Sequence, residues 1–228
     1  MDFLVSSFAS ALRLIGALSP DVVDAVRTSL SVSAGATVFA ALLGIPLGLL
    51  VGLSDFPLKG LVVTVLNTLM AVPTVVVGLL VYGFLGRQGP LGVLGLLFTP
   101  TAIVIGGTLL AAPIVANYAL ASVRGADPRI VPTALTLGAG RFRAVATLIG
   151  EIRFGILAAV IAGFGRVVSE VGVAMMLGGN IRGYTRTMTT AIALETSKGE
   201  FAFGMALGIV LMMVALIVNL FLNLLQQR

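Results

Sequence analysis

Residues 28–54, TSLSVSAGATVFAALLGIPLGLLVGLS, form a run of 27 residues without a single charged side chain. A helix needs about 20 mostly apolar residues to cross a bilayer. Three more uncharged runs of at least this length lie at 60–86, 88–123 and 201–227. Only 10% of the 228 residues are charged, against about 25% in soluble domains. Together with a mean hydropathy of +1.14, these runs predict an all-α, polytopic membrane protein.

The composition also excludes several kinds of chemistry. The chain has no histidine and no cysteine, so it cannot form a histidine or thiolate metal site, a Ser-His relay or a disulfide. A Walker A motif needs Gly-Lys-Ser/Thr, but the two lysines, Lys59 and Lys198, follow Leu58 and Ser197. We therefore predict that the chain is not an enzyme and binds no cofactor itself. The net charge of +5 is scattered through short loops, which indicates membrane topology and not nucleic-acid binding.

Five membrane-spanning helices are predicted within a single transmembrane domain, 1–228. Residues 1–20 precede them and are predicted to form an interfacial amphipathic helix, with a short extra span as the alternative. Residues 87–99 begin with turn-forming residues and are too short to cross, so they predict a re-entrant or interfacial piece. The first three predicted spans, 24–53, 61–86 and 100–123, occupy residues 24–123. A polar loop is predicted at 124–150. The last two predicted spans, 151–178 and 201–226, occupy residues 151–226.

The distribution of arginines predicts which side of the membrane each loop occupies. Five arginines lie between residues 124 and 153, and cytoplasmic loops carry an excess of basic residues. Placing that loop, the loop 54–60 with Lys59 and the C-terminal Arg228 inside gives seven basic residues inside and six outside. The N-terminus is then outside.

Glycine and proline residues occur at informative positions inside the predicted spans. Gly44, Gly48 and Gly52 form a small-xxx-small stripe, which Gly204 and Gly208 repeat on the last span. Such stripes indicate close helix packing, either within one bundle or at a subunit interface. Three prolines lie inside spans and predict kinks that either line a pathway or merely bend the bundle. They are Pro46, Pro73 and Pro113.

The polar loop has the sequence RGADPRIVPTALTLGAGRFRAVATLIGEIR from residue 124 to residue 153. Asp127 followed by proline favours a helix start, whereas Gly138 favours a helix end. Arg141 and Arg143 then begin a second amphipathic segment. The loop therefore predicts a short helix, a glycine bend and another helix along the membrane surface, which a soluble partner can grip.

This loop resembles the coupling loop of permeases from ATP-binding-cassette importers. The family signature is Glu-Ala-Ala, three residues, Gly, nine residues, then an apolar residue, any residue, Leu and Pro. Ala134, Gly138 and Leu148 match it, whereas Pro132 replaces the glutamate and Gly150-Glu151 replaces Leu-Pro. The residues to which we assign the coupling role are Asp127, Pro132, Ala134, Gly138, Arg141 and Arg143.

Three further stretches resemble the molybdate, tungstate and sulfate branch of that family. They are 71–92, 96–115 and 178–201, of which the last is most similar to tungstate permeases. The resemblance implies the type I importer permease fold and a homodimer in the cytoplasmic (inner) membrane. It also implies two cytoplasmic ATPase subunits, which bind ATP and Mg, and an extracytoplasmic oxyanion-binding protein. Tungstate is the first expected substrate, molybdate the second and sulfate the third. A stand-alone secondary anion carrier or channel is the alternative.

Charged and polar residues near the last two predicted spans are the candidates for the translocation path. Arg166 and Glu170 are four residues apart on one helix and can pair, either as a structural strut or as a site that presents positive charge to an anion. The donor-rich segment 179–200 suits a tetrahedral oxyanion, a docking surface for the binding protein, or helix caps. The path or gate candidates are Pro73, Arg166, Glu170, Asn180, Arg182 and Arg186.

Overall fold

The computed structural model describes the backbone of residues 2–226 and the side chains of residues 6–221 and 224. The predicted domain 1–228 thus extends beyond the described residues, and Arg228 lies outside them. The described residues form eleven α-helices and one 3-10 turn, Gly92–Leu94, without any strand, which confirms the all-helical prediction. The helices are α1 Asp2–Gly16, α2 Pro20–Leu53, α3 Lys59–Met70, α4 Thr74–Leu85, α5 Pro100–Gly125, α6 Ile130–Thr136, α7 Arg141–Glu151, α8 Arg153–Val168, α9 Gly172–Gly178, α10 Met188–Ser197 and α11 Phe201–Gln226.

Three helices are long and apolar enough to cross a membrane on their own. They are α2, α5 and residues 201–221 of α11, and they match the predicted spans 24–53, 100–123 and 201–226. Two bent helix pairs, α3 with α4 and α7 with α8, raise the number of possible spans to five. The helix α2 begins four residues earlier than predicted because Pro20 occupies its first turn, where a proline needs no hydrogen-bond partner.

The second predicted span, 61–86, is not one helix. The helices α3 and α4 meet at an angle of 95°, and the break falls at residues 71–73. Pro73 precedes the first residue of α4 with φ −58° and ψ 129°, an extended conformation. Since proline has no N–H and disfavours a helical residue before it, the predicted kink becomes a complete break.

The fourth predicted span, 151–178, is also interrupted. The helix α8 ends at Val168, and α9 begins after a break at residues 169–171 that contains Glu170. Upstream, α7 and α8 are bent by 68°, so α7 leads directly into the membrane-spanning part. Within the predicted polar loop, α6 and α7 are the two expected helices, and Gly138 between them has φ +87°. A residue with a Cβ atom is strained at this angle, which explains the glycine.

Two connecting segments differ in how deeply they are buried. Residues 87–99 contain turns and the 3-10 turn, without a long helix. Residues 179–200 include α10, whose Met188 and Ala191 are fully buried in a cluster with Val22 of α2 and Leu207 of α11. This segment therefore packs into the bundle. The helix α1 packs along α11 and buries Ala11 completely.

The most extensive helix packing in the bundle joins α2 to α5. A Cβ atom placed on Gly44 would lie 2.8 Å from the carbonyl oxygen of Ala112, and one on Gly52 would lie 2.8 Å from Cγ1 of Val123. The Gly44-Gly48-Gly52 stripe is therefore a packing surface within this chain and not a subunit interface. Gly208 differs, because nothing in the described structure lies within 4 Å of its Cβ position.

These contacts also set the direction of the helices. Since Gly44 meets Ala112 and Gly52 meets Val123, α2 and α5 run parallel. The helix α8 runs opposite to α5, because Gly155 meets Ser122 and Gly163 meets Val115. The loop 124–150 consequently lies at the end of the bundle where α5 ends and α8 begins. The start of α2 and the segment after α9 lie at the other end.

Candidate functional site

The segment that follows α9 is tied to two other parts of the bundle. The guanidinium of Arg182 donates from Nε to Oδ1 of Asp21 at 2.7 Å, which attaches the segment to the start of α2. The backbone N–H of Met188 donates to Oγ of Ser29, also in α2, at 2.7 Å. Thr189 donates from Oγ1 to the carbonyl oxygen of Glu170 at 2.7 Å. The segment therefore closes this end of the bundle over α2 and the break between α8 and α9.

The threonines of this segment are occupied by partners within the protein. Thr185 is fully buried, donates to the carbonyl oxygen of Gly178 and accepts from the N–H of Ile181. Thr187 and Thr190 form a reciprocal capping box at the start of α10. Asn180, which has φ +52°, accepts a hydrogen bond from Oγ1 of Thr190 at 3.0 Å. Of the three sequence-based interpretations, helix capping is the one that the geometry of Asn180 and these threonines supports.

Arg166 and Glu170 form the ion pair that their spacing predicts. Nη1 of Arg166 lies 2.7 Å from Oε2 of Glu170, whose other carboxylate oxygen accepts from the N–H of Val173 at 3.2 Å. The Glu170 side chain is 7% exposed and the Arg166 side chain 31%. Glu170 thus joins the end of α8 to the first turn of α9, where a negative charge is favourable.

The two broken helix pairs meet beside this carboxylate. A Cβ atom on Gly172 would lie 3.1 Å from Oγ1 of Thr74 and 3.3 Å from Oε1 of Glu170. Thr74 is the first residue of α4 and follows Pro73, so the break at Pro73 lies next to the break at Glu170. Glu170 also lines a cavity of about 10 Å³, which can hold about one water molecule. Its polar lining comes from Ser29, Ser33, Glu170, Thr187 and Thr189.

Arg182 and Arg186 lie in different environments. Arg182 is largely exposed, and its hydrogen bond to Asp21 raises the pKa of the guanidinium. Arg186 is mostly buried and has Nη1 3.3 Å from Oε1 of Glu195, which also pairs with Lys198 at 3.1 Å. Among the described residues, Nε of Arg186 is the one buried side-chain polar atom without a hydrogen-bond partner.

The loop at the opposite end presents an exposed surface. Asp127 accepts from the N–H of Arg129 at 2.9 Å and from its Nε at 3.0 Å, and these bonds lower the pKa of the Asp127 carboxyl. Leu137 is 83% exposed and Phe142 is 88% exposed, on the two sides of the Gly138 bend. Of the remaining coupling-loop candidates, Ala134 is half-buried, whereas Pro132, Arg141 and Arg143 are exposed.

Sequence reasoning missed three residues at the end of the bundle opposite the coupling loop, Asp21, Ser29 and Glu195. Asp21 is the partner of Arg182 and Glu195 is the partner of Arg186, and both arginines were predicted site residues. Ser29 is the partner of Met188, which lies within the predicted segment 179–200. Asp21 and Ser29 are more than 150 positions from their partners, so local spacing contains no signal for them. Glu195 lies nine positions from Arg186, outside the three- and four-residue steps that mark pairs on one helix.

Comparison with known proteins identifies the family. Residues 44–228 match the family described as binding-protein-dependent transport system inner membrane component. The chain belongs to this family. It is 41% identical over 212 residues to the tungstate uptake system permease protein of Peptoclostridium acidaminophilum, with 92% of each chain covered. It is 39% identical over 210 residues to the corresponding protein of Campylobacter jejuni, covering 92% of this chain and 88% of the relative.

A solved structure supports the family assignment at the level of the fold. A bacterial ATP-binding-cassette transporter involved in the import of the acidic polysaccharide alginate superposes with a TM-score of 0.76 at 20% sequence identity. The match covers 97% of this chain and 83% of that chain. The fold is therefore that of type I importer permeases. As a member of this family, the chain is a multi-pass inner-membrane permease of a binding-protein-dependent importer, and it is the transmembrane subunit and not the ATPase.

Proposed function

We propose that the chain translocates a tetrahedral oxyanion, with tungstate as the first candidate, molybdate as the second and sulfate as the third. The observation that carries this proposal is the 41% identity to a tungstate uptake permease over 92% of both chains. Because tungstate and molybdate carry the same charge and the same tetrahedral arrangement of oxygens, we expect the binding protein to discriminate between them. The permease itself then needs only to exclude cations and bulkier solutes.

The proposed assembly is a homodimer of this chain with two cytoplasmic ATPase subunits and an extracytoplasmic binding protein. ATP and Mg are bound by the ATPase subunits, and the chain itself contributes no cofactor site. The proposed contact with each ATPase is the coupling loop of residues 124–150. Its support is a pair of exposed apolar side chains, Leu137 directly after α6 and Phe142 in the first turn of α7, since water disfavours such surfaces unless a partner covers them.

The loop is well placed to transmit movement. The helix α6 follows α5 after a short connection, and α7 continues into α8 with a bend of 68°. A displacement of α6 and α7 by the ATPase would therefore act directly on α5 and α8. The helix α8 ends at the Arg166–Glu170 pair, next to the breaks before α4 and α9. These breaks are the proposed bending points when the bundle changes between inward-facing and outward-facing states.

The roles of the path candidates differ under this proposal. Arg166 and Glu170 form a structural strut, because the pair is nearly neutral and the carboxylate also caps α9. Asn180 shapes the turn before α10, and Pro73 provides the break before α4. Arg182 and Arg186 are the proposed contacts for the binding protein or the arriving anion, since their guanidiniums lie at the outer end of the bundle.

Co-purification tests the assembly. The tagged chain is isolated from native membranes in mild detergent, and the co-purifying proteins are identified and counted. We expect a P-loop ATPase at one copy per permease with the unaltered chain and with Gly140→Ala, since Gly140 has φ −67° and open space at its Cβ position. Gly138→Val forces a branched side chain into φ +87°, so we expect the ATPase to be lost.

A transport assay tests the proposed identity of the substrate. Reconstituted complex with the binding protein should accumulate tungstate only when ATP is supplied to the ATPase side. A chain that purifies without an ATPase and still moves tungstate into ATP-free vesicles would contradict the importer proposal and support a secondary carrier.

A further inference from the structure

A groove with several polar lining residues lies at the opposite end of the bundle from Arg166 and Arg182. It runs between α3 and α5, has a volume of about 530 Å³ and leads to the start of the coupling loop at the end of α5. One water molecule occupies about 30 Å³, so the groove has room for a tetrahedral oxyanion together with water. Its lining includes Val63, Asn67, Met70, Asn117, Tyr118 and Arg124.

Two side-chain amides line this groove, those of Asn67 and Asn117. Asn67 is exposed, and its side chain has no hydrogen-bond partner among the described residues. Asn117 donates one amide hydrogen to the carbonyl oxygen of Pro113 at 3.1 Å and keeps its second hydrogen, because an amide nitrogen has two. An amide without a partner is costly against lipid, so polar side chains on membrane helices face water-filled cavities or other protein.

The two amides lie at matching depths. Asn67 follows the first residue of α3, Lys59, by about two turns, and Asn117 precedes the last residue of α5, Gly125, by about two turns. Two turns of helix measure about 11 Å, whereas half of the hydrocarbon core measures about 15 Å. With the first residue of α3 and the last residue of α5 taken as the level of the inner membrane surface, both amides fall within the inner half of the hydrocarbon core.

The charges around the groove favour an anion. Arg124 is the one charged residue in its lining, and no carboxylate lines it. Lys59 lies nearby, at the start of α3, and is paired with the fully exposed Asp55 at 3.1 Å. This differs from Arg166, whose charge is balanced by Glu170 at 2.7 Å. A guanidinium and amide hydrogens are suitable donors for the oxygens of a tetrahedral oxyanion.

We propose that the α3–α5 groove is an oxyanion-binding site in the cytoplasmic half of the translocation path, with Asn67 and Asn117 as neutral donors and Arg124 as the cationic group at its inner mouth. The proposal rests on the proposed function and identifies where in this chain the anion is bound before its release. Neutral amides bind without holding the anion tightly, as a release site requires.

Cysteine labelling tests this site directly, because the chain has no cysteine of its own. In the assembled complex, Asn67→Cys is compared with Val65→Cys, which places the thiol on another face of α3. Both are treated from the cytoplasmic side with an anionic and a cationic methanethiosulfonate reagent. We expect the thiol at position 67 to react with the anionic reagent at least ten times faster than the thiol at position 65. Tungstate should slow the reaction at position 67 at least threefold.

The charge of Arg124 is tested in the same background. Adding Arg124→Gln to Asn67→Cys should reduce the preference for the anionic over the cationic reagent at least threefold. Equal reactivity at positions 65 and 67, no protection by tungstate, or an unchanged preference after Arg124→Gln would each overturn the proposal.

Transport by a cysteine-free variant provides a second measurement. Asn67→Leu removes the amide but keeps the size and suits a membrane helix, so the complex should assemble. Tungstate uptake should fall at least fivefold, whereas Thr68→Val, whose hydroxyl bonds only to its own helix at Thr64, should transport normally. Normal uptake by Asn67→Leu would overturn the groove proposal, whereas absence of ATP-dependent uptake by the unaltered complex would overturn the proposed function instead.

Discussion

The carboxylate of Glu170 connects two helices across an interruption in the chain. It accepts from Arg166 at 2.7 Å within the last turns of α8 and from the N–H of Val173 at 3.2 Å in the first turn of α9. A Cβ atom on Gly172 would lie 3.3 Å from the same carboxylate, so the start of α9 packs closely against it. The geometry of the break therefore depends on the contacts that this carboxylate makes with Arg166 and Val173.

Removing only the positive partner should destabilise the bundle. In Arg166→Gln, the buried Glu170 carboxylate keeps the Val173 N–H and loses its counter-charge. Breaking a buried pair costs about 3–5 kcal/mol, and the partial exposure of Arg166 reduces this to about 1–3 kcal/mol. Neutralising both residues, as Arg166→Gln with Glu170→Gln, should recover most of the loss. Thermal unfolding of the purified complex measures both effects.

Tungstate uptake by the double variant separates a strut from an anion site. A strut predicts uptake close to that of the unaltered complex once stability is restored. A stable double variant with uptake reduced more than tenfold would show that Arg166 meets the anion.

The hydroxyl of Thr189 should be needed to hold α10 against the α8–α9 break. Thr189→Val keeps the shape of the side chain but leaves the Glu170 carbonyl oxygen without its donor at 2.7 Å. An unsatisfied buried acceptor costs about 1–3 kcal/mol. We expect a lower unfolding temperature and faster hydrogen exchange in residues 186–191. Thr64→Val is the matched control, because Thr64 is exposed and bonds to its own helix at Gly60; equal effects of the two changes would contradict the assignment.

Substitution by alanine should lower the stability at one glycine of a small-xxx-small stripe and not at another. A Cβ atom on Gly48 would lie 2.8 Å from Cβ of Ala119 and even closer to the carbonyl oxygen of Ala116, so Gly48→Ala should force α2 and α5 apart. Overpacking of this kind costs about 1–3 kcal/mol. Gly208→Ala meets nothing within 4 Å in the described structure and should leave the unfolding temperature of the isolated chain unchanged. Destabilisation by Gly208→Ala and not by Gly48→Ala would contradict the packing described above.

The start of the coupling loop should not respond to pH in the physiological range. Hydrogen bonds from Arg129 lower the pKa of Asp127, so the ionised carboxylate stabilises the folded loop. This contribution is complete above the ordinary pKa of an aspartate and is lost only as the pH falls through the lowered value. The chain also has no histidine, whose titration would otherwise fall between pH 5 and 8.

Hydrogen exchange checks this expectation. Protection of residues 128–134, corrected for intrinsic exchange, should be constant from pH 8 to pH 5. Asp127→Asn should lower the protection equally at both ends of that range. A loss of protection between pH 7 and pH 5 in the unaltered chain would contradict it.

Uncharged runs and short spacings predict much of this protein. Residues 28–54 are recognisable as a span because hydropathy is summed over neighbours in the chain. The Arg166–Glu170 pair is predictable because residues four apart on a helix share a face. The order of helix, bend and helix in the coupling loop is predictable because the preference of Gly138 for the bend is local, although α6 begins at Ile130 and not directly after Asp127.

Contacts between distant parts of the chain required the folded structure. Pro73 signals a break in the helix, but the 95° angle and the packing of α4 against α9 are visible only in the folded structure. Gly48 and Gly208 have the same local pattern, and only the neighbouring helix distinguishes them. The pairing of Arg182 with Asp21 and the meeting of Asn67 with Asn117 at one groove follow from the order and direction of the packed helices. Hydropathy and helix propensity act over a few residues, whereas helix packing selects partners through the shapes of whole surfaces.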